Sequence, residues 1–178
     1  MANSGKYSVL FEPVKIGPVT ARNRFYQVPH CCGLGHLRPR AHAAMRAMKA
    51  EGGWAVVSTE EAELHPSSDL SPYPEQRIWD DHDIPALRLM TEAVHDKGSL
   101  AAIELVHNGN HSANLMSRAP VLAPSDMSVD LIYPKQARAM DKSDIRAFRR
   151  WHKDAALRAK RAGFDIVYVY AGHRMTLA

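Results

Sequence analysis

Cysteine is almost missing. The 178 residues contain two, Cys31 and Cys32, and these are adjacent. Adjacent cysteines do not make a disulfide framework, so a reducing, cytoplasmic setting is the default expectation. No C-x2-C occurs, and a metal site would need more ligands than the nearest imidazoles, His30 and His36, supply; no metal is expected. No run of about 18 apolar residues occurs, so no segment is expected to span a membrane. The opening residues Met1-Ala2-Asn3-Ser4-Gly5-Lys6 lack the apolar stretch of a secretory signal. A G-x-G-x-x-G fingerprint is absent too, and Gly33-Leu34-Gly35 is too short a match to support a dinucleotide fold. There are no internal repeats or low-complexity segments. The net charge of +4 suggests nucleic acid at first sight. Much of the excess lies in Arg146, Arg149, Arg150, Lys153, Arg158, Lys160 and Arg161 on one predicted helix, mixed with Asp144 and Asp154. That is a solvated face. With no nucleic-acid motif beside it, neither nucleic acid nor membrane is expected as a partner.

What is present is ordinary for a globular chain: 46% hydrophobic and 24% charged residues, enough for one domain or part of a larger one. Residues 9–23 hold two short extended pieces around Gly17-Pro18, a hairpin ahead of the main fold. Strand one follows at about 24–29. Pro39 starts a helix through Ala43, Ala44, Met45, Ala47, Met48 and Ala50, closed by Gly52-Gly53. Strand two is Trp54–Thr59, followed by a polar loop holding Pro66, Pro72 and Pro74. Helix two begins near Asp83 and ends at Gly98, with Ile84, Leu87, Leu89, Met90, Ala93 and Val94 at helical spacing. Strand three is Leu100–Leu105, and a long loop over 106–140 reads as functional. Asp141 is a plausible N-cap for helix three, with Asp144 three residues on. Ile145, Phe148, His152, Ala155, Ala159 and Ala162 form its apolar stripe before Gly163 and strand four, Asp165–Tyr170. The order βαβαβαβ implies an α/β fold with a parallel sheet and right-handed crossovers, either a (β/α) barrel or a flavodoxin-like sheet.

Chemistry gathers at strand ends, where such folds place it. Strand one runs into Pro29-His30-Cys31-Cys32. A thiolate beside an imidazole can act as a nucleophile, because a protonated His30 would lower its pKa; an inert buried thiol is the plain alternative. Glu104 ends an otherwise apolar strand, which is costly unless it is paired or hydrogen-bonded, to a ligand ring or to a neighbouring strand. Tyr170 and His173, three apart after strand four, are a candidate proton-handling pair. His107 and His111 lie in loop composition, so their four-residue spacing does not argue for a metal; polar loop or surface is the reading there.

These residues together resemble the flavin amine-dehydrogenase branch of the old yellow enzyme family, whose known members are trimethylamine, dimethylamine and histamine dehydrogenases. The resemblance is carried by Leu10-Phe11-Glu12-Pro13, Ile16-Gly17-Pro18, Arg22 through Cys31, Lys49 through Trp54, Arg77-Ile78-Trp79-Asp80 and Ala162 through Tyr170. It implies an eight-stranded (β/α)8 TIM barrel with FMN at the C-terminal ends of its strands. Cys31, directly after Pro-His, matches the cysteine bonded to flavin C6 in that branch. Pro29 and His30 would lie beside the ring, and Glu104 on its pyrimidine side. Tyr170 and His173 match two members of a Tyr-His-Asp triad. Glu61, in Thr59-Glu60-Glu61, stands where the trimethylamine enzyme has a tyrosine of an aromatic bowl, and is the candidate substrate-binding residue.

The resemblance further implies that residues 1–178 are the N-terminal half of the barrel domain, a hairpin and about four β/α units. The triad aspartate, the phosphate-binding strands, the 4Fe-4S cluster and the downstream domains would all lie elsewhere in a complete enzyme. That enzyme is expected to oxidise an alkylated or functionalised amine, to pass electrons to an acceptor such as an electron-transferring flavoprotein, and to form a homo-oligomer. The isolated piece is expected to be inactive and to bind FMN poorly. The alternatives are a NAD(P)H:flavin oxidoreductase or enoate reductase of the same fold, or a non-catalytic barrel fragment.

Overall fold

The computed structural model describes residues 5–128 and 136–177. Gly17, at φ +55°, makes the turn between β1 (Val14–Ile16) and β2 (Val19–Ala21), an antiparallel hairpin with Val14 opposite Ala21. Its apolar side chains pack on Val56, Ala102, Leu100 and Ile166, in the first half of later strands. The hairpin therefore covers the N-terminal ends of the sheet and leaves the opposite ends for chemistry.

The sheet is built in chain order. Strand β3 (Tyr26–Gln27) pairs with β4 (Val56–Glu63), β4 with β6 (Leu100–Val106) and β6 with β10 (Ile166–Val169), all parallel. Sequential order is the half-barrel arrangement expected above; a flavodoxin-like sheet would have placed a later strand outside the first. Strand β5 (Gln76–Arg77) adds to the far end of β4. Helices α1 (Pro39–Glu51), α2 (Ile84–His95) and α3 (Lys142–Ala162) pack on one face. Val57, Ala62, Ile103 and Leu105 meet Leu87, Met90, Val94, Ala155 and Ala159 there. Burying side chains such as Leu87 and Met90 contributes roughly 1.5–3 kcal/mol each.

Helix ends follow the sequence signals. Asp141 accepts from the amides of Ser143 and Asp144 at 2.7 and 2.8 Å, and Asp144 accepts back from the Asp141 amide at 2.9 Å. Gly163 ends α3 in the left-handed region at φ +99°. The stripe on α3 is shorter than its pattern, however, because Ile145 is exposed. On α1 the buried face carries His42 and Arg46 beside Ala43 and Ala50, while Met48 points out.

Two sequence expectations change. Strand two does not stop at Thr59 but continues to Glu63, buried throughout. Three carboxylates that read as polar loop are thus inside the molecule. The 106–140 segment is not structureless either. It contains β7 (Leu122–Ala123), β8 (Met127–Ser128) and β9 (Gln136–Ala139), a small sheet ordered β7-β9-β8. Buried Asp69 and Asn114 satisfy backbone around it: Asp69 accepts from Ser71, Met116 and Ser117 amides, and Asn114 donates to the carbonyls of Ser67, Ala119 and Pro120. Backbone groups in a covered loop require such partners.

Candidate active site

The parallel strands present their C-terminal ends at one place. Strand β4 reaches it through a bulge: Ser58 faces Ala102 and Glu61 faces Glu104, three residues against two. Thr59 Oγ1 fills the gap by accepting from the Glu104 amide at 3.2 Å. The bulge brings Glu61 into line with Glu104 and sends Glu60 elsewhere. Glu61 and Glu104 are register partners on neighbouring strands, 8% and 6% exposed. Desolvation, followed by the charge of Glu60 at Glu61 and of Glu61 at Glu104, pushes both up to about 7. Asn108 opposes the shift at Glu61 through a side-chain hydrogen bond, and Glu61 Oε1 has no partner among the described residues.

Tyr168 continues the row beside Glu104. Beyond it, the Tyr170 hydroxyl hydrogen-bonds His173 Nδ1. The tyrosine folds back over Gly172, where a Cβ would lie 3.0 Å from its hydroxyl oxygen. His173 sits at φ +52°. Desolvation, then Glu104, Glu61, Tyr168 and Cys31, hold the Tyr170 hydroxyl above its ordinary range. The same four neighbours show that strand ends far apart in sequence converge here.

Cys31 is exposed as a residue, yet its thiol is partly desolvated against the protein and ringed by Glu61, Glu75 and Glu60, which pushes it up to about 12. Desolvation first, and the surrounding carboxylates after it, thus govern the thiol, and the sequence expectation of a lowered pKa is corrected. Pro29 and His30 precede it in the loop after β3; the His30 amide donates to the Thr59 carbonyl at 3.3 Å. His107 is not a surface residue but a buried one. It bonds Ser67 Oγ at 2.9 Å and Thr176 Oγ1 at 2.8 Å, and burial pushes it down to about 3. Cys32, His42 and Glu60 hold donor atoms within 4.8 Å of one another. His42 Nε2 already accepts from Arg46, and Glu60 from backbone amides, so these groups are engaged.

Sequence reasoning missed Arg46, Glu60, Glu63 and Glu75. Glu63 is fully buried and pushed up to about 9, first by desolvation. Only the run Glu60-Glu61-Ala62-Glu63 after an apolar strand was available as a signal, and it reads equally well as loop.

Comparison with known families decides the wider assignment: the NADH:flavin oxidoreductase / NADH oxidase description matches residues 9–175. The chain belongs to this flavin oxidoreductase family. Within it, the dimethylamine dehydrogenase of Hyphomicrobium sp. (strain x) is 40% identical over 182 residues, covering 97% of this chain and 24% of that protein. An NADPH dehydrogenase of Halalkalibacterium halodurans is 34% identical over 92% of this chain and 48% of its own length. The structure of histamine dehydrogenase from Rhizobium sp. 4-9 superposes with a TM-score of 0.93 and 48% identity, over 96% of this chain and 26% of that one. The chain thus spans about a quarter of the amine dehydrogenases it matches. Old yellow enzyme-like TIM barrels share its fold, among them a homologue from Zymomonas mobilis.

The residues at the strand ends suit a flavin. A buried carboxylate oxygen without a partner among the described residues, a second desolvated carboxyl beside it, an exposed cysteine and a hydrogen-bonded Tyr–His pair bring acceptors and proton-handling groups to one place.

Proposed function

We propose that residues 1–178 form the N-terminal half of an FMN-binding barrel in an amine-oxidising dehydrogenase. The observation that carries this reading is the convergence of Tyr170, Glu104, Glu61 and Cys31 at one end of a sequential parallel sheet. Greater identity to the amine enzymes than to the NADPH dehydrogenase supports it. FMN, when bound, supplies the acceptor for a hydride equivalent from the amine carbon. Pro29 and His30 would lie beside the ring, Cys31 would tether it through a thioether, and Glu104 would accept hydrogen bonds from it.

The remaining side chains handle charge. Glu61 holds the substrate ammonium, because a carboxylate in a desolvated site pairs strongly with a cation. Tyr170, hydrogen-bonded to His173, manages the proton that must leave nitrogen before its lone pair can assist hydride loss. The imine product is then hydrolysed. In the complete protein the electrons would continue to a 4Fe-4S cluster and an electron-transferring flavoprotein, and the enzyme would act as a homo-oligomer in the cytoplasm.

The test uses the full-length protein, denatured and separated from free flavin. Wild type and Cys32→Ala should keep flavin on the polypeptide, and Cys31→Ala should release it. The reverse pattern assigns the tether to Cys32.

A further inference from the structure

The segment His30–Gly35 is held at both ends by buried ionic side chains. Arg46, 0% exposed on α1, donates from Nη2 to the His30 carbonyl at 2.5 Å. Its Nε and Nη1 are fixed on His42 Nε2 and Gln27 Oε1, at 3.0 and 3.2 Å. Glu60, also 0% exposed, accepts from four consecutive amides. Its Oε2 takes those of Cys32 and Gly33, the latter at 2.6 Å, and its Oε1 those of Leu34, at 3.1 Å, and Gly35.

Four N–H groups meet one carboxylate only when the turn curls into a concave nest. Gly33 supplies the left-handed residue, at φ +66°. Gly35 is needed for close approach, since a Cβ there would lie 2.8 Å from Glu60 Oε1 and 2.4 Å from Gln76 Oε1. Glu75 completes the arrangement by accepting from the Gly33 amide at 2.9 Å and hydrogen-bonding the Glu60 carboxylate.

We infer that Glu60 is a positioning residue: it moulds the turn after Cys31, while Arg46 fixes the carbonyl before it, so that the thiol is presented from a rigid span. The inference rests on Cys31 being the flavin tether. The two carboxyls in the nest have unequal duties. Desolvation raises both, but the amides and the Glu75 hydrogen bond outweigh it at Glu60, which keeps its charge, while Glu75 keeps a proton. A glutamine at position 75 can still donate to Glu60. A glutamine at position 60 offers one acceptor oxygen and turns an NH2 group toward amide donors.

The experiment compares wild type, Glu60→Gln, Gly35→Ala and Glu75→Gln in the full-length flavoprotein. Amide hydrogen exchange is followed at Cys32–Gly35, with the peptide covering α2 as the folding control. The fraction of total flavin left on denatured polypeptide is measured in parallel. Glu60→Gln and Gly35→Ala should each speed exchange at these amides, and lower the retained fraction, roughly tenfold or more. Glu75→Gln should stay within about twofold of wild type in both, since its donor to Glu60 survives. Unchanged exchange at Cys32–Gly35 in Glu60→Gln, or equal damage from Glu75→Gln, overturns the role of Glu60. Flavin fully released from wild type overturns only the tether, and the exchange measurement still decides Glu60.

Discussion

Glu61 and Glu104 face one another from adjacent strands, each pushed up to about 7 by desolvation and neighbouring charge. Near neutrality the pair carries less than its full charge, and raising the pH through 7 completes its ionisation. In the proposed enzyme kcat/KM for a cationic amine should therefore climb through an acid limb near pH 7, and Glu61→Gln should remove or shift that limb. A profile flat from pH 6 to 8 would count against it. On the proposed reading, selectivity belongs to the same residue. A secondary ammonium offers two N–H donors and a tertiary one only one, and a charge-assisted hydrogen bond is worth roughly 1.5–3 kcal/mol. Dimethylamine-type substrates should be preferred over trimethylamine, and Glu61→Tyr should shift the kcat/KM ratio toward trimethylamine by roughly tenfold or more. An unchanged ratio removes Glu61 from substrate choice. Cys31, Glu104, Tyr170 and His173 were legible in the sequence because each interrupts the end of an apolar strand. Glu60 and Arg46 were not. Nothing along the chain separates a carboxylate entering a ring of amides from one in water, or a buried guanidinium from a solvated one.

Elements with strong local grammar were the readable ones. Pro39 opens α1, the reciprocal Asp141 and Asp144 bonds open α3, and Gly163 closes it. At Gly163, φ +99° disfavours any side chain, and a Cβ would press to 3.0 Å against Thr91 Oγ1. That hydroxyl donates to the Ala162 carbonyl at 2.6 Å, tying α3 to α2. Gly163→Ala should thus lower unfolding free energy by about 1–2 kcal/mol in urea titration. A variant as stable as wild type would show the cap to be replaceable. Strand β4 was misjudged because its second half is held by tertiary partners, the pairings with β5 and β6, against the cost of desolvating its carboxyls, and not by local preference. The small β7-β9-β8 sheet was hidden for a related reason: strands of two and four residues are too short for a period to be detected.

Across the whole molecule, buried ionisable groups of both kinds set the response to pH. His42 and His65 are pushed down to about 4 and His107 to about 3, each first by desolvation. Unfolded histidine titrates near 6.5, so these residues withdraw stability as the pH falls from about 6.5 toward 3. Glu61 and Glu104, raised to about 7, and Glu63, raised to about 9, work in the other direction. Their contribution is complete below the unfolded carboxylate value of about 4.3 and is lost as the pH rises through 7 to 9. The two trends oppose one another between about 4.3 and 6.5. Melting temperature against pH should show a plateau in that mildly acidic window and fall on either side; a maximum at pH 8 or above would refute the account. The sequential sheet was legible because strands and helices alternate, whereas this pH balance was not, since it depends on which polar residues the packing encloses. The single extra residue in β4 turns two adjacent glutamates to different neighbours, Glu60 to the amides of residues 32–35 and Glu61 to Glu104. On the proposed reading, position 61 could then change to suit another amine without disturbing the neighbour that holds the turn after Cys31.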